Sequence, residues 1–89
     1  MTDREFTQWL DDEVAGNRIT RLQQQDLLQQ KRTFENQRTL IEQDYRNQIV
    51  GFVADQLRVS RDIHELISMC KEQYPKRMIY FEPIGFYLL

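Results

Sequence analysis

This 89-residue sequence is poor in histidine and cysteine, the side chains that most often act as catalytic bases and nucleophiles near neutral pH. Acid–base and nucleophilic catalysis use histidine, cysteine, serine or carboxylates gathered around a pocket, and the chain has one histidine and one cysteine, His64 and Cys70. On the helix predicted around them, His64 lies off the apolar stripe, as a solvated side chain does. Cys70 lies on the stripe, where a thiol packs as a small hydrophobe. The sequence therefore favours a non-catalytic protein over an enzyme centred on His64.

The sequence gives metal and cofactor sites little support. His64 and Cys70 are too far apart along a helix to act as an i, i+4 ligand pair, so most ligands of a zinc site would have to come from elsewhere. The acidic residues 11–13 lack the spacing and the turn glycine of a calcium loop. The three glycines are isolated, so there is no glycine-rich phosphate loop. We expect no metal and no cofactor.

Two short helices are predicted, one at the N-terminal end of the sequence and one that contains His64 and Cys70. Thr2 and Glu5 have the spacing of a capping box, which predicts a first helix within residues 1–16. A third helix is expected over residues 61–74, because Pro75 forces the residue before it out of helical geometry. We expect the first and third helices to pack together through Phe6, Trp9, Leu10, Ile63, Ile67 and Tyr74.

A long central helix is predicted over residues 20–58. This stretch has no proline and is rich in glutamine, leucine, arginine and glutamate, which are good helix formers. At 1.5 Å per residue the helix would be roughly 57 Å long, about twice the diameter of a globule of this size. An alternative is a break near Gln37 or Arg38, since residues 39–42 have capping-box form. The two halves would then pair within one chain, with no need to dimerise.

The last twelve residues, 78–89, change character. They are β-branched and aromatic, and Pro83 and Gly85 suit a turn, so the sequence predicts a two-stranded β-hairpin. An isolated hairpin is marginal in water and must pack on helices or pair with another strand. The predicted fold is therefore a single, mainly α domain over residues 1–89, with three helices and a C-terminal hairpin.

Apolar residues seven apart on the central helix resemble the seam of a coiled coil. Such a seam predicts a homodimer in which polar residues on the stripe select the partner. The hairpin offers a second surface, either for packing on the helices or for adding a strand to a partner's sheet. The residues expected to bind a partner are Leu27, Phe34, Arg38, Ile41 and Tyr45 on the central helix, and Tyr80, Phe81, Phe86, Tyr87, Leu88 and Leu89 on the hairpin.

Charge limits the other classes of partner. Twelve basic residues stand against fourteen acidic ones, a net charge of -2, so no strong field attracts nucleic acid or an anionic membrane. The alternative function is nevertheless nucleic-acid binding, because five basic residues project to one side of the central helix, although glutamates are interleaved with them at helical spacing. These basic residues are Arg21, Lys31, Arg32, Arg38 and Arg46.

The sequence also carries indications of location and function. The sequence has no secretory signal and no stretch long enough to span a membrane, and a lone cysteine suits a reducing compartment, so we expect the cytoplasm. The expected function is that of a small protein-binding adaptor, regulator or chaperone-like protein, dimeric through its central helix.

Overall fold

A computed structural model describes residues 2–85 and shows within them a mixed α/β fold of four helices and a three-stranded antiparallel sheet. The helices are α1 (Asp3–Ala15), α2 (Arg21–Asn36), α3 (Arg38–Asp44) and α4 (Ile63–Gln73). The strands are β1 (Gln48–Val53), β2 (Gln56–Ser60) and β3 (Tyr80–Ile84), in the sheet order β2-β1-β3. The prediction of a mainly α fold with three helices and a two-stranded C-terminal hairpin is therefore wrong.

The long central helix predicted over residues 20–58 is replaced by two helices and a β-hairpin. Gln37 ends α2 and begins α3, without a side-chain hydrogen bond that caps the second helix. From Gln48 onward the chain forms β1 and β2, which pair antiparallel. Ile49, Val50 and Val53 are β-branched, and such side chains suit a pleated sheet better than a helix. These β-branched residues were the signal in the sequence for strands in place of a continued helix.

The turn between β1 and β2 uses Ala54 and Asp55, both with positive φ, 50° and 60°. Positive φ at both central residues is characteristic of type I′ hairpin turns, which normally use Asn-Gly or Asp-Gly. Here two side chains of α2 stabilise the turn by hydrogen bonds to Asp55. The backbone N–H of Asp55 donates to Oε1 of the buried Gln30 (2.9 Å), and the Thr33 hydroxyl donates to the Asp55 carboxylate (3.0 Å).

The strand within the predicted C-terminal hairpin has a different partner in the structure. β3 continues through Pro83, the residue expected in the turn, and pairs with β1. Proline cannot donate a backbone hydrogen bond, and an edge strand such as β3 tolerates it. The second strand of the predicted hairpin would need residues 86–89, which lie outside the described residues.

The sheet separates two apolar layers. On its first face, Val50 and Phe52 pack with Phe34 of α2 and Ile41 of α3, and α1 adds its own buried cluster beside α2. On its second face, Val53 packs with α4. The first and last helices therefore lie on opposite faces, so α1 packs on α2 rather than on α4 as expected.

Candidate protein-binding surface

The apolar residues of the predicted coiled-coil seam lie in the interior of the chain. Phe34 and Ile41 are buried in the cluster on the first face of the sheet, and Leu27 is buried against Phe6 and Leu10. Tyr45 is half-buried at the edge of the first cluster. In this fold Leu27, Phe34 and Ile41 are not accessible to a second chain.

Arg38, expected to select a partner, instead joins three elements of its own chain. Its guanidinium donates to Glu35 of α2 (2.6 Å), Glu42 of α3 (3.2 Å) and Glu82 of β3 (2.9 Å). The hydrogen bonds from Arg38 lower the pKa of Glu35 to about 2, and those to Glu35 and Glu82 raise the pKa of Arg38. The Tyr80 hydroxyl also donates to Glu82. This ion cluster links the junction of α2 and α3 at Gln37 to strand β3 of the sheet.

Lys31 plays a similar part between α1 and α2. Its ammonium donates to Asp3 (2.6 Å) and Glu35 (3.2 Å) and lies 5.7 Å from the centre of the Phe6 ring. Burial disfavours its charge, but the hydrogen bonds outweigh that effect and the pKa of Lys31 lies above its ordinary value. A cleft of about 210 Å³ opens beside it, lined by Asp3, Phe6, Thr7, Leu28, Lys31, Arg32 and Glu35. Because both hydrogen-bond acceptors of Lys31 are internal, its charge is already balanced within the chain.

The basic side predicted for nucleic acid is largely neutralised in the same way. Arg21 pairs with Asp11 at 3.0 Å, and Lys31 and Arg38 have the carboxylate partners described above. A phosphate would therefore have to compete with existing carboxylates for three of the five cations. Arg32 and Arg46 are exposed. Two cations give a much weaker electrostatic footprint than five.

The residues with reactive groups are not brought together. His64 is exposed at the start of α4, whereas Cys70 is buried in the layer between α4 and the sheet, where burial raises the pKa of its thiol. Within residues 2–85 no group of three or more histidine, cysteine, aspartate or glutamate side chains could hold a metal ion. None of the helices over the same residues has the length and apolar character needed to cross a bilayer.

Among the described residues, β3 carries less helix packing on one face of the sheet than β1 and β2 do. On the second face, α4 packs over β1 and β2. The register places Phe81 opposite Gly51 and Pro83 opposite Ile49, so both side chains project on this same face from β3. Phe81 is 41% exposed and Pro83 is also exposed. Tyr80, expected on the same surface, projects to the first face and packs against Phe6 and Phe34.

The orientation of α4 adds a third residue to this surface. Ser60 of β2 donates to Glu65 (3.3 Å), and Arg58 of β2 donates to Gln73 (2.8 Å), so one side of α4 faces β2. Successive helical residues are about 100° apart, which places the half-buried Ile67 on the other side, toward β3. We call Phe81, Pro83 and Ile67 the open flank.

Other exposed apolar side chains are scattered. Trp9 is 46% exposed on α1, with its ring 6.0 Å from that of Phe6, whereas Leu22 is 78% exposed on α2 and Leu40 63% exposed on α3. Single exposed apolar residues are common on soluble proteins and mark no site by themselves. The open flank differs because two neighbouring exposed residues and a half-buried one share one side of the molecule.

Of the predicted partner-binding residues, Phe81 alone is an exposed apolar residue within residues 2–85. Phe86, Tyr87, Leu88 and Leu89 lie outside the described residues. Pro83 was expected in a turn and Ile67 in a helix–helix contact, so neither was predicted to lie on the surface. Alternation along the apolar strand was the signal for Pro83, since it is two residues from Phe81.

Comparisons of the chain with protein-family models, with curated proteins and with solved structures find no match.

Proposed function

We propose that this chain is a small, non-catalytic protein-binding module of the cytoplasm that acts as an adaptor or regulator through the open flank. The observation that carries the proposal is the 41% exposure of Phe81, next to the exposed Pro83, on the sheet face where α4 packs mainly over β1 and β2. Aromatic side chains are frequent anchors of protein interfaces, where burying apolar area stabilises the complex.

Two further observations support a binding role. The exposed His64 and the buried Cys70 are not arranged as a nucleophile and a base, which favours binding over catalysis. The basic side chains best placed for phosphate are paired internally, which favours protein over nucleic acid. The cytoplasmic assignment is supported by the single cysteine, which suits a reducing compartment.

The proposal does not extend to a dimer formed through Leu27, Phe34 and Ile41. These side chains already pack inside one chain, and exposing them to a second copy would require α2 and α3 to separate from the sheet. The proposed binding surface therefore lies on β3 and α4 rather than on α2 and α3.

A capture experiment with matched variants tests the proposal. Tagged wild-type protein, Phe81→Ser and Leu22→Ser are each used to retain proteins from an extract of the native cells, and the retained proteins are quantified. Leu22→Ser is the control because it also removes an exposed apolar side chain, but from α2. Circular dichroism confirms that each variant folds.

The expected result is a protein that wild type and Leu22→Ser retain equally and that Phe81→Ser retains about tenfold less, as for an interface anchor. A protein retained equally by all three variants would contradict the assignment of the open flank as the binding surface.

A further inference from the structure

The outer edge of β3 carries backbone groups that take no part in its pairing with β1. Among residues 2–85, β3 pairs with β1 alone and is an edge strand of the sheet. In antiparallel strands the backbone groups of successive residues point alternately to one side of the strand and to the other. The direction of these groups at each residue of β3 therefore follows from the register of the sheet.

The turn between β1 and β2 fixes this alternation. In a two-residue hairpin the residues on either side of the turn exchange backbone hydrogen bonds, so the backbone groups of Val53 point toward β2. Those of Val50, three residues earlier, point the opposite way, toward its partner Glu82 on β3. The backbone groups of the neighbours of Glu82, which are Phe81 and Pro83, therefore point away from β1.

Two other features of β3 agree with this direction. The carbonyl of Ile84 accepts from the backbone N–H of Asn47 (2.7 Å), so the residue after Pro83 points toward the β1 side. Pro83 has no N–H to donate, and β3 tolerates it because the missing donor would point away from β1. The outer edge of β3 thus presents the N–H and the carbonyl of Phe81 and the carbonyl of Pro83.

A side chain closes the opposite edge of the sheet. Leu57 of β2 pairs with Phe52, and the same alternation directs the Leu57 carbonyl outward. That carbonyl accepts from the Arg58 guanidinium (2.8 Å), which also donates to Gln73 of α4 (2.8 Å). A strand added at β2 would have to displace this guanidinium. The edge of β3 is therefore the better place for adding a strand.

The charges beside the β3 edge favour a basic partner. On the first face of the sheet, Glu82 belongs to a cluster in which four carboxylates share two cations, which leaves an excess of negative charge. The carboxylates are Asp3, Glu35, Glu42 and Glu82, and the cations are Lys31 and Arg38. A residue opposite Glu82 on an added strand would have its Cβ atom about 5 Å away on this face, where a basic side chain is favoured. Residues opposite Phe81 and Pro83 would project onto the open flank, where apolar side chains bury area.

We propose that β3 takes up an extended segment of the partner protein as an added antiparallel strand, with apolar residues over the open flank and a basic residue opposite Glu82. The segment donates to the carbonyls of Phe81 and Pro83 and accepts from the N–H of Phe81. This inference names the kind of partner that the open flank binds, and it rests on the function proposed above.

N-methylated peptides test the backbone contact. The probe is a short fluorescent peptide of alternating valine and lysine, whose binding to the full chain is followed by anisotropy. When an antiparallel strand places its valines over the open flank, the valine N–H groups face β3 and the lysine N–H groups face away from it. N-methylation of a central valine removes a donor to the edge of β3. N-methylation of a central lysine is the matched control, with the same composition and charge.

The expected result is binding about tenfold weaker for the valine-methylated peptide and within about threefold of the unmodified peptide for the lysine-methylated one. Equal weakening by both methyl groups would overturn the proposal, and so would an unmodified peptide that fails to bind at about 1 mM. Weakening confined to the lysine-methylated peptide would overturn the antiparallel orientation, because a parallel strand directs the other set of N–H groups to the edge. A peptide with glutamate in place of lysine should bind about tenfold more weakly, and equal affinity would overturn the basic residue.

Two variants at one position separate the backbone of β3 from its side chain. Phe81→Ala removes the ring and keeps the outward N–H, whereas Phe81→Pro removes both. Proline is compatible with this position because the N–H does not donate to β1, and circular dichroism checks that both variants fold. Phe81→Pro should bind the unmodified peptide about tenfold more weakly than Phe81→Ala does, and equal binding would overturn the proposal.

Sedimentation of the chain alone tests the other occupant of this edge. A dimer that Phe81→Pro abolishes would show that a second copy of the chain pairs with β3, and would overturn the proposal. A monomer is expected. These failures are distinct from failure of the proposed function, because the capture experiment with Phe81→Ser detects a partner whatever the arrangement of its backbone.

Discussion

Replacing Phe34 distinguishes a core residue from an interface residue. Its side chain is completely buried, and its ring makes edge-to-face contacts with Phe52 (6.1 Å between centroids) and Tyr80 (5.5 Å). Removing a buried phenylalanine down to alanine costs about 3–5 kcal/mol, and each aromatic pair contributes about 0.5–1.5 kcal/mol beyond its buried area. We therefore expect Phe34→Ala to lower the free energy of unfolding by about 4 kcal/mol.

A loss of this size is a large part of the total stability of a small domain, roughly 5–15 kcal/mol, so a milder variant is needed as well. Phe34→Leu keeps most of the volume and should cost about 1 kcal/mol. Leu40→Ala is the surface control, because Leu40 is 63% exposed and its replacement should change stability by less than about 0.5 kcal/mol.

Urea unfolding followed by circular dichroism at several protein concentrations measures these effects. A core role predicts that the unfolding midpoint of wild type does not depend on concentration and that the loss in Phe34→Ala is the same in dilute and concentrated solution. A midpoint that rises with concentration, together with a loss that disappears on dilution, would refute the assignment and restore Phe34 to a dimer interface.

Three further predictions concern the turn and the ion cluster. Ala54→Gly should raise the free energy of unfolding by about 1 kcal/mol, because glycine relieves the positive φ; a thermal melt without an increase would contradict this. Gln30→Leu should lower the free energy of unfolding in urea by about 1–3 kcal/mol, because the backbone N–H of Asp55 loses its buried acceptor. An unchanged free energy of unfolding would contradict this role of Gln30. The depressed pKa of Glu35, about 2, adds stability that is present above its unfolded value near 4.5 and is lost as the pH falls through about 2. Unfolding measured from pH 6 to pH 2 should therefore show a steeper acid loss in wild type than in Arg38→Met, and equal slopes would contradict the role of Arg38.

Helix starts were the most predictable part of the fold. The Thr2 hydroxyl accepts from the backbone N–H of Glu5, as the spacing of these two residues indicated, and the Asp62 carboxylate accepts from the backbone N–H of His64 at the start of α4. These caps are local, since the side chain and the donor lie within a few residues of each other, so one stretch of sequence contains the whole interaction.

The β1–β2 hairpin could not be predicted in the same way. Its turn has Ala54 where a type I′ turn normally has asparagine or glycine, and it is held by Gln30 and Thr33, more than twenty residues earlier. A stabilising contact that crosses so much sequence leaves no local pattern, whereas the helix-forming composition of residues 20–58 predicted one continuous helix.

The candidate surface was predictable in part for a similar reason. The apolar character of residues 78–89 indicated a surface in need of cover, and it led to Phe81. Which face each residue occupies depended on pairing with β1, and that pairing placed Tyr80 in the core and Phe81 outside. Arg38 was predicted to select a partner because it projects on the apolar stripe of the predicted helix. Its acceptor Glu82 is 44 residues away along the chain, so no local pattern indicated that the two pair.

The binding surface that we propose is β3 with the adjacent side of α4. Amide hydrogen exchange of the wild-type chain, alone and with the protein that the Phe81-dependent capture yields, tests it most directly. We predict that binding slows exchange in residues 63–71 and 79–84 and leaves α2 and α3 unchanged. Slower exchange confined to residues 21–44 would contradict the claim.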